Sequence, residues 1–264
     1  MVPPLIGTSE SIETIKEQIE HAANTCLNVI ITGESGVGKE VVAQNMYHES
    51  QRKDKPFIKI HCAALSDDSV IESELFRFKQ DALTGTDGNS SWKFDLTHQE
   101  VIFIDEIEDM PYSVQSKLFN VFESGKFTPL SSKSETTSNV WVIAATNQEI
   151  EKKVKEGSFR EDLYYCLNTI KIDIPPLRNR PEDIPSLIDY YIKKYTSLSN
   201  GKKISKPKPY AMKKLITYSW PGNVRELQNI IKSSMVMGSW EKIIDSLNSK
   251  SRSVAIFRPE EQVL

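Results

Sequence analysis

Gly33-Glu34-Ser35-Gly36-Val37-Gly38-Lys39 lies between the apolar run 27–31 and a helix expected to start near Glu40. A strand, a glycine-rich loop and a helix in immediate succession form the setting that a phosphate-binding loop requires. Glycines let consecutive backbone N–H groups turn inward without a Cβ in the way. The helix N-terminus adds partial positive charge at the same place. Lys39 would reach the β- and γ-phosphates as a point charge. Glu40 stands where such loops usually carry a Ser or Thr hydroxyl for Mg²⁺. The competing reading of this segment alone is a glycine-rich tight turn.

A second segment weighs against that bland reading. Residues 101–104, Val-Ile-Phe-Ile, form a short apolar strand pattern that ends in Asp105-Glu106. A carboxylate at the C-terminal end of a strand can hold Mg²⁺, or its water, beside phosphates. The next carboxylate is placed to orient or deprotonate an attacking water. An acidic pair after a strand is by itself more often a solvated turn. With the phosphate loop alongside, ATP and Mg²⁺ become the natural ligands and ATP hydrolysis the natural reaction.

The rest of the chain is organised around these two points. Apolar, β-branched runs recur at 29–31, 57–60, 101–104, 141–144 and 170–174, with helical patterns at 12–23, 40–48, 113–123 and 158–167. Such alternation predicts an α/β domain whose mostly parallel sheet is covered on both faces. After Pro175-Pro176 the strand signal ends, and helical patterns follow near 181–195, 207–218 and 223–236. The expected division is an α/β nucleotide-binding domain over 1–175, a small all-helical lid over 176–240 and a tail of open structure over 241–264. Residues 77–99 are irregular, as functional or mobile insertions often are. Three scattered cysteines, no signal-like N-terminus and no run approaching ~20 apolar residues predict a soluble cytoplasmic chain without membrane contact. A net charge of −3 gives no overall basic footprint for nucleic acid.

Several long segments, in order, carry a family resemblance. GESGVGKE at 33–40, FIKIHCAAL at 57–65, ELF at 74–76, FIDEI at 103–107, AATN at 144–147, FREDLYY at 159–165 and WPGNVREL at 220–227 resemble the bacterial sigma-54 activators, a branch of the AAA+ ATPases. The resemblance implies a P-loop AAA+ fold and ATPase activity. Nucleotide-binding roles fall to Gly33, Glu34, Ser35, Gly36, Val37, Gly38, Lys39 and Glu40, the metal to Asp105 and catalysis to Glu106. Asn147 matches the sensor of the γ-phosphate, and Arg225 matches the second sensor, on the lid. Arg160 matches an arginine finger that completes a neighbouring subunit's site. A finger acting in trans implies a ring, a hexamer in this family, with sigma-54 RNA polymerase holoenzyme as the further partner. Without the family, Asn147 reads as a turn residue, Arg160 as a surface arginine and Asn223 as a helix N-cap.

The sequence also departs from that pattern. Asp81, Ala82, Leu83, Thr84, Gly85 and Thr86 align with the sigma-54-contacting loop, whose usual aromatic is Leu83 here. His61 replaces an asparagine that holds the catalytic glutamate; it either bonds Glu106 or is a plain strand-end histidine. Cys166 replaces a second arginine, and 98–100 replaces a pair of glycines. The lysine run from Lys202 to Lys214 reads as a solvated linker. No helix-turn-helix pattern follows the lid, so DNA contact would come through a domain absent from this sequence. Two readings result. One is an ATP-hydrolysing domain of a sigma-54-type transcription regulator. The other is an ATP-controlled oligomerisation module that acts on a different partner or polymerase form.

Overall fold

The computed structural model describes residues 2–64, 100–127, 136–137, 139–147, 149–198, 205–241 and 243–244. In chain order the elements are α1 (Glu10–Thr25), β1 (Val29–Thr32), α2 (Lys39–Glu49), β2 (Phe57–His61), β3 (Val101–Asp105), α3 (Tyr112–Ser124) and β4 (Lys126–Phe127). There follow β5 (Thr136–Thr137), β6 (Trp141–Thr146), α4 (Ile150–Lys155), α5 (Glu161–Leu167), β7 (Ile170–Asp173), α6 (Ile184–Leu198), α7 (Pro209–Thr217) and α8 (Asn223–Met237). The sequence 74–76, the loop 81–86 and the irregular stretch 77–99 lie outside the described residues, as do Lys202, Lys203 and the tail beyond 244. No helix among the described residues is long and apolar enough to cross a membrane.

Five strands form one parallel sheet in the order β2-β3-β6-β1-β7. Along each strand alternate side chains point to opposite faces. Ile30, Ile60, Ile102, Ile104, Val142 and Ala144 join one apolar cluster with Val114 and Leu118 of α3 and Leu163 and Leu167 of α5. The intervening Val29, Ile31, Val101, Phe103, Trp141 and Ile143 are also fully buried, so both faces are covered. That double burial is why the strands read as continuous apolar runs. Register is fixed at the far end of the sheet. Trp141 Nε1 donates to the Leu27 carbonyl at 2.7 Å, and Asn28 Oδ1 accepts from Val142 N at 3.2 Å.

The chain divides into two compact units. One comprises residues 1–5, 14–34 and 38–174; the other comprises 6–13, 35–37 and 175–264. The second is helical. Leu177, Ile184, Leu215, Trp220, Leu227 and Ile231 build its core, and Trp240, Ile243 and Ile244 pack there too, past residue 240. Asp183 is fully buried and accepts from Thr8 N (2.6 Å), Ser9 N (2.8 Å) and Ser9 Oγ (2.8 Å). Ser9 Oγ in turn accepts from Ile12 N at 3.3 Å, the N-cap bond of α1.

Three local expectations are corrected. The helix expected from 158 starts at Glu161: Arg160 is extended, at φ −71° and ψ 130°, with its N–H donating to Gln115 Oε1 at 2.8 Å. Asn223 does not cap α8: it is the first helical residue, at φ +50°, and Gly222 precedes it. Glu226 Oε2, one turn into the helix, instead accepts from the Gly222 N–H at 3.0 Å. The lysine run is not simply linker either. Lys213 and Lys214 are exposed on α7, while Lys206 and Lys208 pair with Asp189 and Glu241 at 2.5 and 3.5 Å.

Trp220 is fully buried and its indole N–H donates to the Leu215 carbonyl at 2.8 Å. Trp220→Ala is expected to destabilise the helical unit by about 3–5 kcal/mol, read as a lower urea midpoint by circular dichroism. An unchanged midpoint would remove Trp220 from the core.

Candidate functional site

The C-terminal edge of the parallel sheet collects the predicted residues of the first unit. Thr32 is level with Thr146, Asp105 with Ala145, and His61 with Asp105. The loop after β1, the acidic pair after β3 and Asn147 after β6 therefore leave the sheet side by side. β6 is the single strand between β1 and β3, so these two exits are about 10 Å apart. Open parallel sheets bind ligands at this edge.

Within the loop, Gly33, Gly36 and Gly38 have φ of +146°, +81° and +115°, backbone that L side chains rarely adopt. At Gly36 an added Cβ would also stand 2.6 Å from the Gly222 carbonyl oxygen. Lys39 opens α2 and is buried; its ammonium curls back to donate to the Gly33 and Glu34 carbonyls at 2.7 and 3.2 Å. The charge is thus held inside the loop it must serve. Glu40 accepts from Lys59 Nζ of β2 at 2.6 Å. Arg225, in the helical unit with Ser35–Val37, donates from Nη1 to Ser35 Oγ at 2.9 Å.

Asp105 ends β3 with its carboxylate partly exposed, and Glu106 follows at φ +55°. Such a conformation costs a non-glycine residue on the order of 1 kcal/mol and collects at functional positions. His61 stands beside both: Nε2 is 3.4 Å from Glu106 Oε2, and Nδ1 is 3.8 Å from Asp105 Oδ2. Of the two readings left by the sequence, the histidine facing Glu106 is the one these distances support. Burial, and then the carboxylates of Asp109, Glu108, Asp105 and Glu106, push the Cys62 thiol up to about 12. Among the described residues no group of three His, Cys, Asp or Glu side chains comes together to hold a metal.

Two positioning contacts were not anticipated from sequence. Glu108, nearly fully buried, accepts from Asn147 N at 3.2 Å and so fixes the residue that follows β6. Gln115, fully buried, holds Arg160 N while donating to Met110 O at 2.8 Å and Ser158 O at 3.2 Å. A buried carboxylate and a buried amide on otherwise amphipathic segments are the only sequence cues for them. The Arg160 side chain forks onto Asp162, with Nε to Oδ1 at 2.9 Å and Nη2 to Oδ2 at 2.5 Å, and reaches Ser116 Oγ at 3.0 Å. It lies over the rings of Tyr112 and Phe119 at 5.6 and 5.7 Å. With Tyr112, Glu161, Asp162 and Tyr165 it lines an open cleft of about 420 Å³, apart from the loop and acid pair. Cys166, on the same short helix, carries no positive charge to this surface.

Comparison with known proteins matches this geometry to one family. Residues 5–173 match the model of the Sigma-54 interaction domain, and residues 178–253 match the AAA+ ATPase lid domain. The Nif-specific regulatory protein of Herbaspirillum seropedicae is 39% identical over 233 residues, covering 88% of this chain and 43% of that protein. The regulatory protein AtoC of Escherichia coli is 41% identical over 235 residues, covering 89% and 50%. NtrX from Brucella abortus in complex with ADP superposes with a TM-score of 0.79 at 33% identity, covering 89% of this chain and 52% of that one. NtrX in complex with ATP gives 0.77 at 32% identity, covering 89% and 53%. The chain thus spans about half the length of the relatives it matches. These matches favour the first of the two readings, and the parallel five-stranded sheet followed by an AAA+ lid makes the chain a P-loop AAA+ protein of the sigma-54 interaction domain family, the activator domain of NtrC-like transcription regulators.

Proposed function

We propose that this domain binds ATP with Mg²⁺ at the C-terminal edge of its sheet and hydrolyses it in a ring of identical chains, a hexamer. Turnover in that ring would drive remodelling of sigma-54 RNA polymerase. The observation that carries the reading is the common exit of β1, β3 and β6, with Lys39 turned into the loop between Gly33 and Gly38. Nucleotide bound in the NtrX structures supports it by similarity.

The residues fit both ligands. Positive-φ glycines, a helix N-terminus and one buried ammonium suit a triphosphate. A single strand-end carboxylate with a second beside it suits Mg²⁺, which keeps several waters and takes most remaining ligands from phosphate. Asp105 would hold Mg²⁺, which would supply charge neutralisation to the triphosphate. Lys39, held on the loop carbonyls, would add its own positive charge to the phosphates. Glu106 orients the attacking water and takes its proton, with His61 fixing the carboxylate's direction. Asn147, steadied by Glu108, offers an amide to the γ-phosphate, and Arg225 would serve as the second sensor by its family match. Arg160 swings from Asp162 to a neighbouring chain's phosphates. Asp81–Thr86 would meet sigma-54, with leucine in place of the aromatic ring. DNA recognition would belong to another domain of the regulator.

Lys39→Ala should abolish ATP binding in calorimetry. Glu106→Gln should keep binding and lower phosphate release at least about 100-fold; turnover near that of the unaltered chain would end the mechanism. Arg160→Ala should be inactive alone, because a finger is worth about 10³–10⁵ in rate. Mixing Arg160→Ala with Glu106→Gln chains should restore part of the turnover, since an interface where the Arg160→Ala chain supplies the base and the Glu106→Gln chain the finger is intact in both. A mixture as inactive as its components would refute action in trans.

A further inference from the structure

Three consecutive carbonyls at the tip of the phosphate loop are each taken by a different donor of the helical unit. Ser35 O accepts from Asn223 Nδ2 at 3.1 Å, Gly36 O from Arg225 N at 3.3 Å, and Val37 O from Arg180 Nη2 at 3.0 Å. All six residues belong to the same compact unit. A trans peptide carries its C=O and the following N–H on opposite sides of one rigid plane. Drawing the carbonyls of 35, 36 and 37 to one side therefore turns the N–H groups of Gly36, Val37 and Gly38 to the other. Successive N–H groups facing one way make an anion-binding concavity.

The donors are themselves clamped. Asn223 is fully buried, and its Oδ1 accepts from Leu177 N at 2.8 Å, which fixes the amide so that Nδ2 faces the loop. Its φ of +50° lets the side chain sit between Leu177 and Ser35 rather than cap its own helix. Arg180 is 1% exposed, with Nη1 3.8 Å from Asp183 Oδ2, the carboxylate that also holds Thr8 and Ser9. Burying a guanidinium is costly, and burial lowers its pKa despite the opposing pull of Asp183. A buried cation with one of its arms on a loop carbonyl has a geometric task.

We infer that Asn223 and Arg180 are positioning residues for nucleotide binding, which set the direction of the phosphate-binding N–H groups without touching the nucleotide. The inference rests on the ATP reading above and adds two residues to it. Asn223→Asp keeps the shape and the acceptor for Leu177 N but sets an oxygen against Ser35 O. Arg180→Lys keeps the charge beside Asp183 and loses the forked reach to Val37.

Each variant is expected to raise KM for ATP about tenfold, with the loss falling on KM more than on kcat, as lost uniform binding does. Melting without nucleotide is followed in parallel, because a purely structural role would lower the midpoint and leave KM unmoved at temperatures where the variant is folded. Should a variant fail to fold, hydrogen exchange on the unaltered chain reads the same geometry: ATP should slow the amides of Gly36, Val37 and Gly38. If the unaltered chain binds ATP while both folded variants keep its KM, or while those amides are unaffected, the inference is overturned alone. If the unaltered chain binds no ATP, the nucleotide reading falls and takes this inference with it.

Discussion

The parallel register of β1, β6 and β3 is the constraint from which the rest follows. Each strand is buried on both faces, so no polar side chain can leave the sheet except at its ends. Chemistry is thereby confined to one edge, and the loops there inherit their spacing from inter-strand hydrogen bonds. Slippage of β3 by one residue would move Asp105 along the strand and also reverse the faces of Phe103 and Ile104. The core would resist such a slip at every strand. The same burial that stabilises the sheet holds the acidic pair level with the start of the phosphate loop.

Side-chain precision comes from a different source. Gln115 and Asp183 are buried polar groups whose hydrogen bonds end on distant backbone N–H groups, and Glu108 reaches across to Asn147 in the same way. Leaving such a group unpaired costs about 1–3 kcal/mol, so each bond is enforced by the penalty of breaking it. In the first unit, functional residues held this way sit at strand ends or before short helices, where periodicity alone would leave them loose. Arg160 shows the effect: its backbone is tied to Gln115, while its exposed side chain remains able to change partner.

These relations explain what was legible in the sequence. Continuous apolar runs revealed the strands because double burial leaves a one-dimensional trace. Gly33 to Lys39 was legible because positive φ demands glycine at fixed spacing. The start of the helix at Glu161 and the part played by Asn223 were misread for a common reason. Local rules favour continuing a helix through Arg160 and capping with Asn223, but a partner 45 residues away takes the Arg160 N–H and one 46 residues away takes Asn223 Oδ1. Arg180 left no local pattern at all; a charged residue between Asn179 and Pro181 reads as surface until its burial is seen. The loop at 81–86 carried a family signal, but it lies outside the described residues.

Electrostatics then bear on how the proposed reaction is gated. The carboxylates of Asp105, Glu106, Glu108 and Asp109 add to burial in raising the Cys62 thiol, and the same negative charge opposes the approach of a triphosphate. In the proposed reaction Lys39, the α2 N-terminus and a divalent cation would together outweigh it. Across the molecule's surface the opposite case holds for Arg160. Its fork onto Asp162 is short but solvent-accessible, and exposed ion pairs of this kind are weak because water competes for both partners. A neighbour's γ-phosphate carries more charge than one carboxylate, and an assembled interface excludes the water that weakens the pair. In the proposed ring, transfer of Arg160 from Asp162 to phosphate would therefore be favoured once a second chain covers the cleft beside Tyr112 and Tyr165. With Cys166 where the family carries a second arginine, the proposed transfer would rest on one guanidinium.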